Sequence, residues 1–281
     1  MPYEVRMLTG AVGAEVVGAD LGALDGHALV DVRRLLCERE VVVFRDQSLS
    51  PRSQSEFSDR LGPSAEVPFV ETMIDFPHVI RVVKEADEGA AFNFGGAWHS
   101  DFSFQVEPPS FTVLAAVDVP QWGGDTVFAS MTAAWMALGP QMRERLTSLE
   151  AVHTARDAYS RRLQPLHSGM RGMNIICDDS ANDERVHPLV TVHPETGKEV
   201  LFFNRAYVRD FVGVGVEETA ELLDFLHNHT TDVRFQYRHR WRNGDVVIWD
   251  NRSTQHFAIN DYAGFRRELH RTTVRGSIPS R

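Results

Sequence analysis

Short, dense apolar runs alternate along this chain with stretches of helical spacing. Val41-Val42-Val43-Phe44 and Val246-Val247-Ile248-Trp249 are apolar at every position, the signature of a strand covered on both faces. Phe111–Val119 and Leu201-Phe202-Phe203 predict further strands. Helical periodicity runs from about Gly26 to Arg39, with Leu29, Val32, Leu35 and Leu36 on one stripe. A second helix starts at Ser50-Pro51 and closes at Gly62: the serine accepts from free first-turn N–H groups, proline lacks one, and glycine ends the last turn. Met131–Leu138, stopped by Gly139-Pro140, then Pro140–Leu149 and Glu217–His227 predict three more helices. Asn243-Gly244, between Phe235–Trp241 and the Val246 run, predicts a tight β-hairpin. Residues 158–183 show no period and predict a long loop or lid. Strands dominate, so the fold expected is mainly β with flanking helices (α+β).

Length and composition narrow the possibilities. The 281 residues are read as one large domain, 1–281, rather than two ordinary ones. Apolar residues make up 43% and charged residues 24%, which excludes disordered, collagen-like and coiled-coil chains. A net charge of −10 opposes attraction to polyphosphate. The basic run Arg234–Arg242, interrupted by Asp232 and Asp245, reads as the solvated face of a strand, so no nucleic-acid partner is expected. Two cysteines, Cys37 and Cys177, make neither a disulfide framework nor a CxxC zinc pattern. With no apolar run of membrane-spanning length and no secretory leader pattern at Met1–Arg6, the expected location is the cytoplasm.

The chemistry concentrates in His99-Ser100-Asp101. On a strand, residues two apart share a face, so an imidazole and a carboxylate could take adjacent positions on a metal, with one more histidine completing a 2-His-1-carboxylate triad. Alone, the pair reads better as a histidine bonded to its neighbouring aspartate or to a turn. The far end of the chain shifts the balance. Trp249–His256 follows an apolar strand, and Arg267 lies eleven positions beyond His256.

Together with Glu107-Pro108-Pro109, Gly123-Gly124-Asp125-Thr126, Trp249-Asp250-Asn251, Thr254-Gln255-His256 and Arg267–Arg271, in order from about Val12 to Ile278, these residues resemble the taurine dioxygenase family of iron(II)- and 2-oxoglutarate-dependent oxygenases. The resemblance implies a double-stranded β-helix, a cupin-like jelly roll of about eight strands with helices outside. It makes His99, Asp101 and His256 the iron ligands and the catalytic triad. It assigns Thr126 and Arg267 to 2-oxoglutarate, an assignment that suits the planar donor fork of arginine. Oxygen is the co-substrate, and succinate and carbon dioxide are the co-products. In related halogenases the aspartate is a small residue, so Asp101 argues against halogenation.

Arg271 aligns with a position that contacts an anionic substrate group in sulfonate oxygenases, which points to a small anionic substrate: a sulfonate, sulfate ester, aryloxy acid or amino acid. Glu66–Val70 departs from the taurine specialist pattern. Phe69, Phe92, Phe94, Phe102, Phe104, Phe203 and Tyr207 suggest an aromatic pocket, and Asn204-Arg205-Ala206-Tyr207 is similar to an Asn-x-x-Tyr in aryloxyalkanoate oxygenases. Tyr207, Phe104 and Phe69 join Arg271 as substrate-binding expectations. The remaining histidines and Arg266 read as ordinary structural or surface residues. Hydroxylation is the expected outcome, with desaturation, cyclisation or a non-catalytic metal-binding barrel as alternatives. Family members form dimers or tetramers.

Overall fold

A computed structural model describes residues 3–89 and 93–281. Its larger sheet runs, in spatial order, Glu4–Met7, Ala14–Val17, Val41–Phe44, Val246–Asp250, Phe111–Asp118, Arg267–Val274 and Ile80–Lys84. Among the described residues, only Ala14–Val17 beside Val41–Phe44 is a parallel pair in this sheet. A three-stranded sheet, Gln236–His239, Thr126–Ser130 and Thr254–Ala258, faces it.

Alternation explains why the central strands read as unbroken apolar runs. Val42, Phe44, Val113, Val246 and Ile248 pack outward against the helices Gly26–Arg39 and Pro51–Leu61 through Val32, Leu36 and Phe57. Val41, Val43, Leu114, Val247, Trp249 and Leu269 turn inward onto Phe128, Tyr237 and Trp241. Each such side chain contributes roughly 1.5–3 kcal/mol of burial. Two sheets around one core make the jelly roll that the resemblance implied.

Helix starts follow local chemistry. The Asp25 side chain accepts from Ala28 N, and Ser50 and Ser53 form a reciprocal capping box ahead of Pro51. The helices Met131–Met136 and Pro140–Thr147 lie where the sequence predicts them. The last helix is longer than expected, Val216–Thr230, with Glu217 and Glu218 in its first turn, where negative charge suits the helix dipole. Together with Met131–Met136 it covers a separate core containing Leu189, Leu201, Phe203 and Phe211.

Two expectations are corrected. Asn243-Gly244 makes a turn, with Asp245 N donating to Arg242 O at 3.0 Å. The strands it joins do not pair, however. Gln236–His239 pairs with Thr126–Ser130, whereas both edges of Val246–Asp250 are taken by Val41–Phe44 and Phe111–Asp118. The turn therefore carries the chain from one sheet to the other. The strand expected at Leu201–Phe203 is Glu199–Leu201 instead, its register set by Val190–Val192. Residues 158–183 hold only short helical turns, Arg161–Leu163, Gln164–His167 and Asp179–Asn182. The basic run behaves as read, with Tyr237, His239 and Trp241 buried and Arg238 and Arg240 exposed. Among the described residues no helix is long and apolar enough to cross a membrane.

Candidate metal centre

The His99/Asp101 pair is not on a regular strand, which corrects the premise on which the two side chains were expected to share a face. His99 makes a single bridge to His256, donating N–H to His256 O at 3.0 Å and accepting from His256 N at 2.8 Å. The chain then turns, with Phe102 at φ 46°, and Asp101 N donates to Asn251 Oδ1 at 3.2 Å. The bridge places one imidazole beside the other, ring centroids 4.1 Å apart. The turn brings the carboxylate between them: Asp101 Oδ1 is 3.7 Å from His99 Nε2 and 4.0 Å from His256 Nε2. One ligand atom from each residue lies within 4.8 Å of the others, and all three residues are buried.

A chain of hydrogen bonds fixes which carboxylate oxygen is available. Trp249 Nε1 donates to Asn251 Oδ1 at 2.9 Å, Asn251 Nδ2 to Thr112 Oγ1 at 2.8 Å, and Thr112 Oγ1 to Asp101 Oδ2 at 2.7 Å. Oδ2 is thus held, and Oδ1 faces the imidazoles and Arg271 Nη1, 3.1 Å away. Burial alone would raise the Asp101 pKa, but Arg271, His256, His99 and Thr112 outweigh it and hold the carboxyl below its usual value. His99 donates Nδ1–H to Ala97 O at 2.7 Å, leaving the Nε2 lone pair for the site. Burial lowers both histidine pKa values, that of His256 well below normal with His99 adding to the effect. Two neutral imidazoles and one anionic carboxylate, none needing to lose a proton at neutral pH, could hold a divalent metal facially.

Arg267 and Arg271 point the same way as the core residue Leu269 on the strand Arg267–Val274. The Arg267 guanidinium lies 5.9 Å from the Trp241 ring centre and 5.8 Å from that of Tyr262. Trp241 Nε1 donates to Thr126 Oγ1 at 3.0 Å, so the same indole touches both residues expected at 2-oxoglutarate. Gly124, at φ +67°, makes room: a Cβ there would come 3.1 Å from Arg267 Cδ and Nε. Arg267 Nε and Arg271 Nε and Nη2 are buried with no hydrogen-bond acceptor among the described residues. Buried guanidinium donors without acceptors are costly, and an anion relieves that cost. Arg266, read as a surface residue, pairs with Glu85, Asp118 and Glu268.

A cavity of about 680 Å3 opens from His99, Asp101 and Arg271, walled by Phe94, Trp98, Tyr159, Tyr207 and Phe257. Asn204 explains the position of Tyr207: its Oδ1 accepts from Tyr207 N at 2.9 Å while its Nδ2 donates to Ser103 Oγ at 2.8 Å. Tyr207 meets His99 edge-on at 6.3 Å. Phe104 and Phe69 stand one layer back. Phe104 packs edge-on to Tyr207 at 4.9 Å, Phe69 stacks on Tyr159 at 5.0 Å, and both border a neighbouring surface groove. Phe94 and Phe102 line the cavity, Phe203 belongs to the core under Trp135, and Phe92 lies outside the described residues. Ala158, Tyr159, Leu163, Leu166 and His167 bring the 158–183 segment onto the cavity.

Sequence reasoning missed Thr112, Asn251, Tyr159 and Trp98. Asn251 lies inside a motif that was noticed, but nothing local marks Thr112 in an apolar strand. His193 is the ordinary structural residue that the sequence suggests. It donates to Asp250 Oδ2 at 2.9 Å, and Cys37 completes a second buried group. Arg252 already holds both Asp250 oxygens, at 2.8 and 2.6 Å. Burial works against the charge on Asp250, but Arg252 and His193 prevail and hold its carboxyl at about 2, while burial pushes the Cys37 thiol up to about 12. This is a closed ion pair rather than an open coordination site.

The family described as taurine catabolism dioxygenase TauD, TfdA family matches residues 4–273. The chain is 31% identical to an alpha-ketoglutarate-dependent sulfate ester dioxygenase of Pseudomonas putida, over 99% of this chain and 91% of that one. It is 34% identical to an alpha-ketoglutarate-dependent 2,4-dichlorophenoxyacetate dioxygenase of Cupriavidus pinatubonensis, over 90% of each. The crystal structure of a taurine dioxygenase from Burkholderia xenovorans superposes with a TM-score of 0.82 at 30% identity, covering 99% of this chain and 93% of that one.

Proposed function

The chain belongs to the TauD, TfdA family and is a 2-oxoglutarate-dependent dioxygenase, and from that premise we propose that it uses Fe(II) to hydroxylate an aliphatic C–H bond of a small anionic substrate. The observation that carries this reading is the convergence of His99 Nε2, His256 Nε2 and Asp101 Oδ1 beside buried arginines with idle donors. His99, Asp101 and His256 would hold the iron, and Arg267 with Thr126 the distal carboxylate of 2-oxoglutarate. When bound, iron and 2-oxoglutarate supply the dioxygen activation that oxidises the substrate, with succinate and carbon dioxide as co-products.

The chain's own residues do the positioning. Thr112 and Asn251 turn Asp101 Oδ1 toward the imidazoles. Arg271, which donates to Asp101 Oδ1 here, would offer its donors to an anion once that oxygen holds a metal. The phenyl and indole wall excludes water and takes an apolar body. Tyr207, beside His99, orients the substrate over the site, and the 158–183 segment serves as a lid on a single 1–281 domain. Sulfate esters and aryloxy acids fit best, because the anion sits beside the carbon to be oxidised. Hydroxylation there gives a hemiacetal-type product that collapses to an aldehyde and the free anion or phenol. Free, buried Cys37 and Cys177 suit a reducing compartment such as the cytoplasm.

The test is substrate-dependent succinate release with Fe(II) and 2-oxoglutarate across alkyl sulfates, aryloxyacetates, sulfonates and amino acids. At least one of the first two classes should drive succinate release and yield an aldehyde or glyoxylate in equal amount. Turnover confined to amino acids would overturn the substrate reading.

A further inference from the structure

Arg205, Arg209, Arg271, Asp101 and Asp157 are the charged arginine and aspartate residues bordering the cavity. Arg271 is engaged by Asp101 at 3.1 Å. Arg209 is engaged by Asp157 at 2.6 Å and by the carbonyls of residues 205, 206 and 208, and Asp157 also takes Arg162 at 2.5 Å. Arg205 is different: it is half-buried, and among the described residues its guanidinium has neither a hydrogen-bond acceptor nor a carboxylate partner. Its electrostatic neighbour is His227, whose pKa is lowered by burial first and by Arg205 second, with exposed Asp224 pulling the other way.

The backbone at Arg205 is also held in place. It lies inside the Asn204–Tyr207 turn, and its carbonyl accepts from Arg209 Nη1 at 2.6 Å. Most arginines of this acidic chain are matched to carboxylates, as Arg33 is to Glu195, Arg81 to Glu268 and Arg238 to Asp125. A surface arginine with nothing to bind is usually just solvated. One set on a turn at the wall of a cavity, with no partner among the described residues, is placed to receive an anion. Arg271 and Arg205 occupy different walls: the first is on the strand Arg267–Val274 beside Asp101, the second beside His227 of the helix Val216–Thr230.

We propose that Arg205 binds a second anionic group of the substrate, so that the natural substrate is a dianion with an apolar body, one charge at Arg271 and the other at the cavity's outer wall. This deepens the proposed function and rests on it for the Arg271 end. Phe94, Trp98, Phe102, Leu163 and Phe257 supply the apolar passage between.

The test compares hexyl, octyl and decyl sulfate with the ω-carboxylate sulfate esters of equal carbon number, in wild type, Arg205→Gln and Arg205→Lys. Wild type should favour the dianion at one chain length by at least about tenfold in kcat/KM, through KM, the size of one charge-assisted contact. Arg205→Gln should lose that preference, and Arg205→Lys should keep part of it. Calorimetric titration of the same pairs without oxygen reads the preference independently of turnover. Equal treatment of mono- and dianions by wild type, or a preference untouched in Arg205→Gln, overturns the proposal. If no alkyl sulfate drives succinate release but the titrated preference still depends on Arg205, the sulfate ester reading fails and the receptor stands.

Discussion

Thr112→Val replaces the hydroxyl that holds Asp101 Oδ2 with a methyl group of nearly the same size. Two contacts are lost: the 2.7 Å bond from Thr112 Oγ1 to the carboxylate, and the 2.8 Å bond from Asn251 Nδ2 to that oxygen. A hydrogen bond to a charged group is worth about 1.5–3 kcal/mol, and the stranded amide adds to the loss. Asp101 becomes free to swing Oδ2 toward Arg271, and Oδ1 away from the imidazoles. Metal affinity should therefore fall roughly 10–100-fold, the range typical when a ligand's supporting contact is removed. Anaerobic equilibrium dialysis against Fe(II) measures it, with the melting temperature as a check on folding. Thr112→Ser, which keeps the hydroxyl, should recover most of the affinity. Fe(II) binding within about twofold of wild type in a folded Thr112→Val protein would refute the idea that this chain of bonds sets the carboxylate.

Two other perturbations follow from buried charges. Arg267→Ala should raise the KM for 2-oxoglutarate by about tenfold or more while Fe(II) affinity changes little; equal losses in both would mean that Arg267 acts through the fold instead. Glu40 is buried with Oε2 unpartnered, and burial pushes its carboxyl to about 7, against bonds from Thr132 and Ser130. A raised folded-state pKa means that stability is full below the unfolded value near 4.5 and is lost as pH rises through about 7. That loss is on the order of 3 kcal/mol. Glu40→Gln should raise the melting temperature at pH 8 and leave it nearly unchanged at pH 4, and an equal shift at both would show that Glu40 does not titrate this way.

Features that depend on nearest neighbours were the legible ones. The Ser50 cap, Pro51 and the apolar run Val41–Phe44 are decided within a few residues, and the structure places them as read. The candidate metal-ligand group was legible because two residues in His99-Ser100-Asp101 and one at His256 recur in a recognisable order. The way they meet was not. The sequence suggests a strand, but the pair is held by a turn at Phe102 and by one bridge to His256, a contact that reaches across more than a hundred and fifty positions. The Asn243-Gly244 hairpin failed for a similar reason: a local turn signal says nothing of which sheet each arm joins. Arg205 lies inside the Asn204–Tyr207 motif, yet that it has no acceptor among the described residues becomes visible only once the nearby carboxylates have been placed.

The central claim is that His99, Asp101 and His256 hold Fe(II) beside the 2-oxoglutarate site at Arg267. Anaerobic visible absorption tests it most directly, reading the purified protein on addition of Fe(II) and then of 2-oxoglutarate. The account predicts a charge-transfer band that needs both additions, disappears in Asp101→Ala and His256→Ala, and requires far more 2-oxoglutarate in Arg267→Ala. A band of wild-type intensity in either ligand variant, or no band with iron demonstrably bound to the wild-type protein, would contradict it.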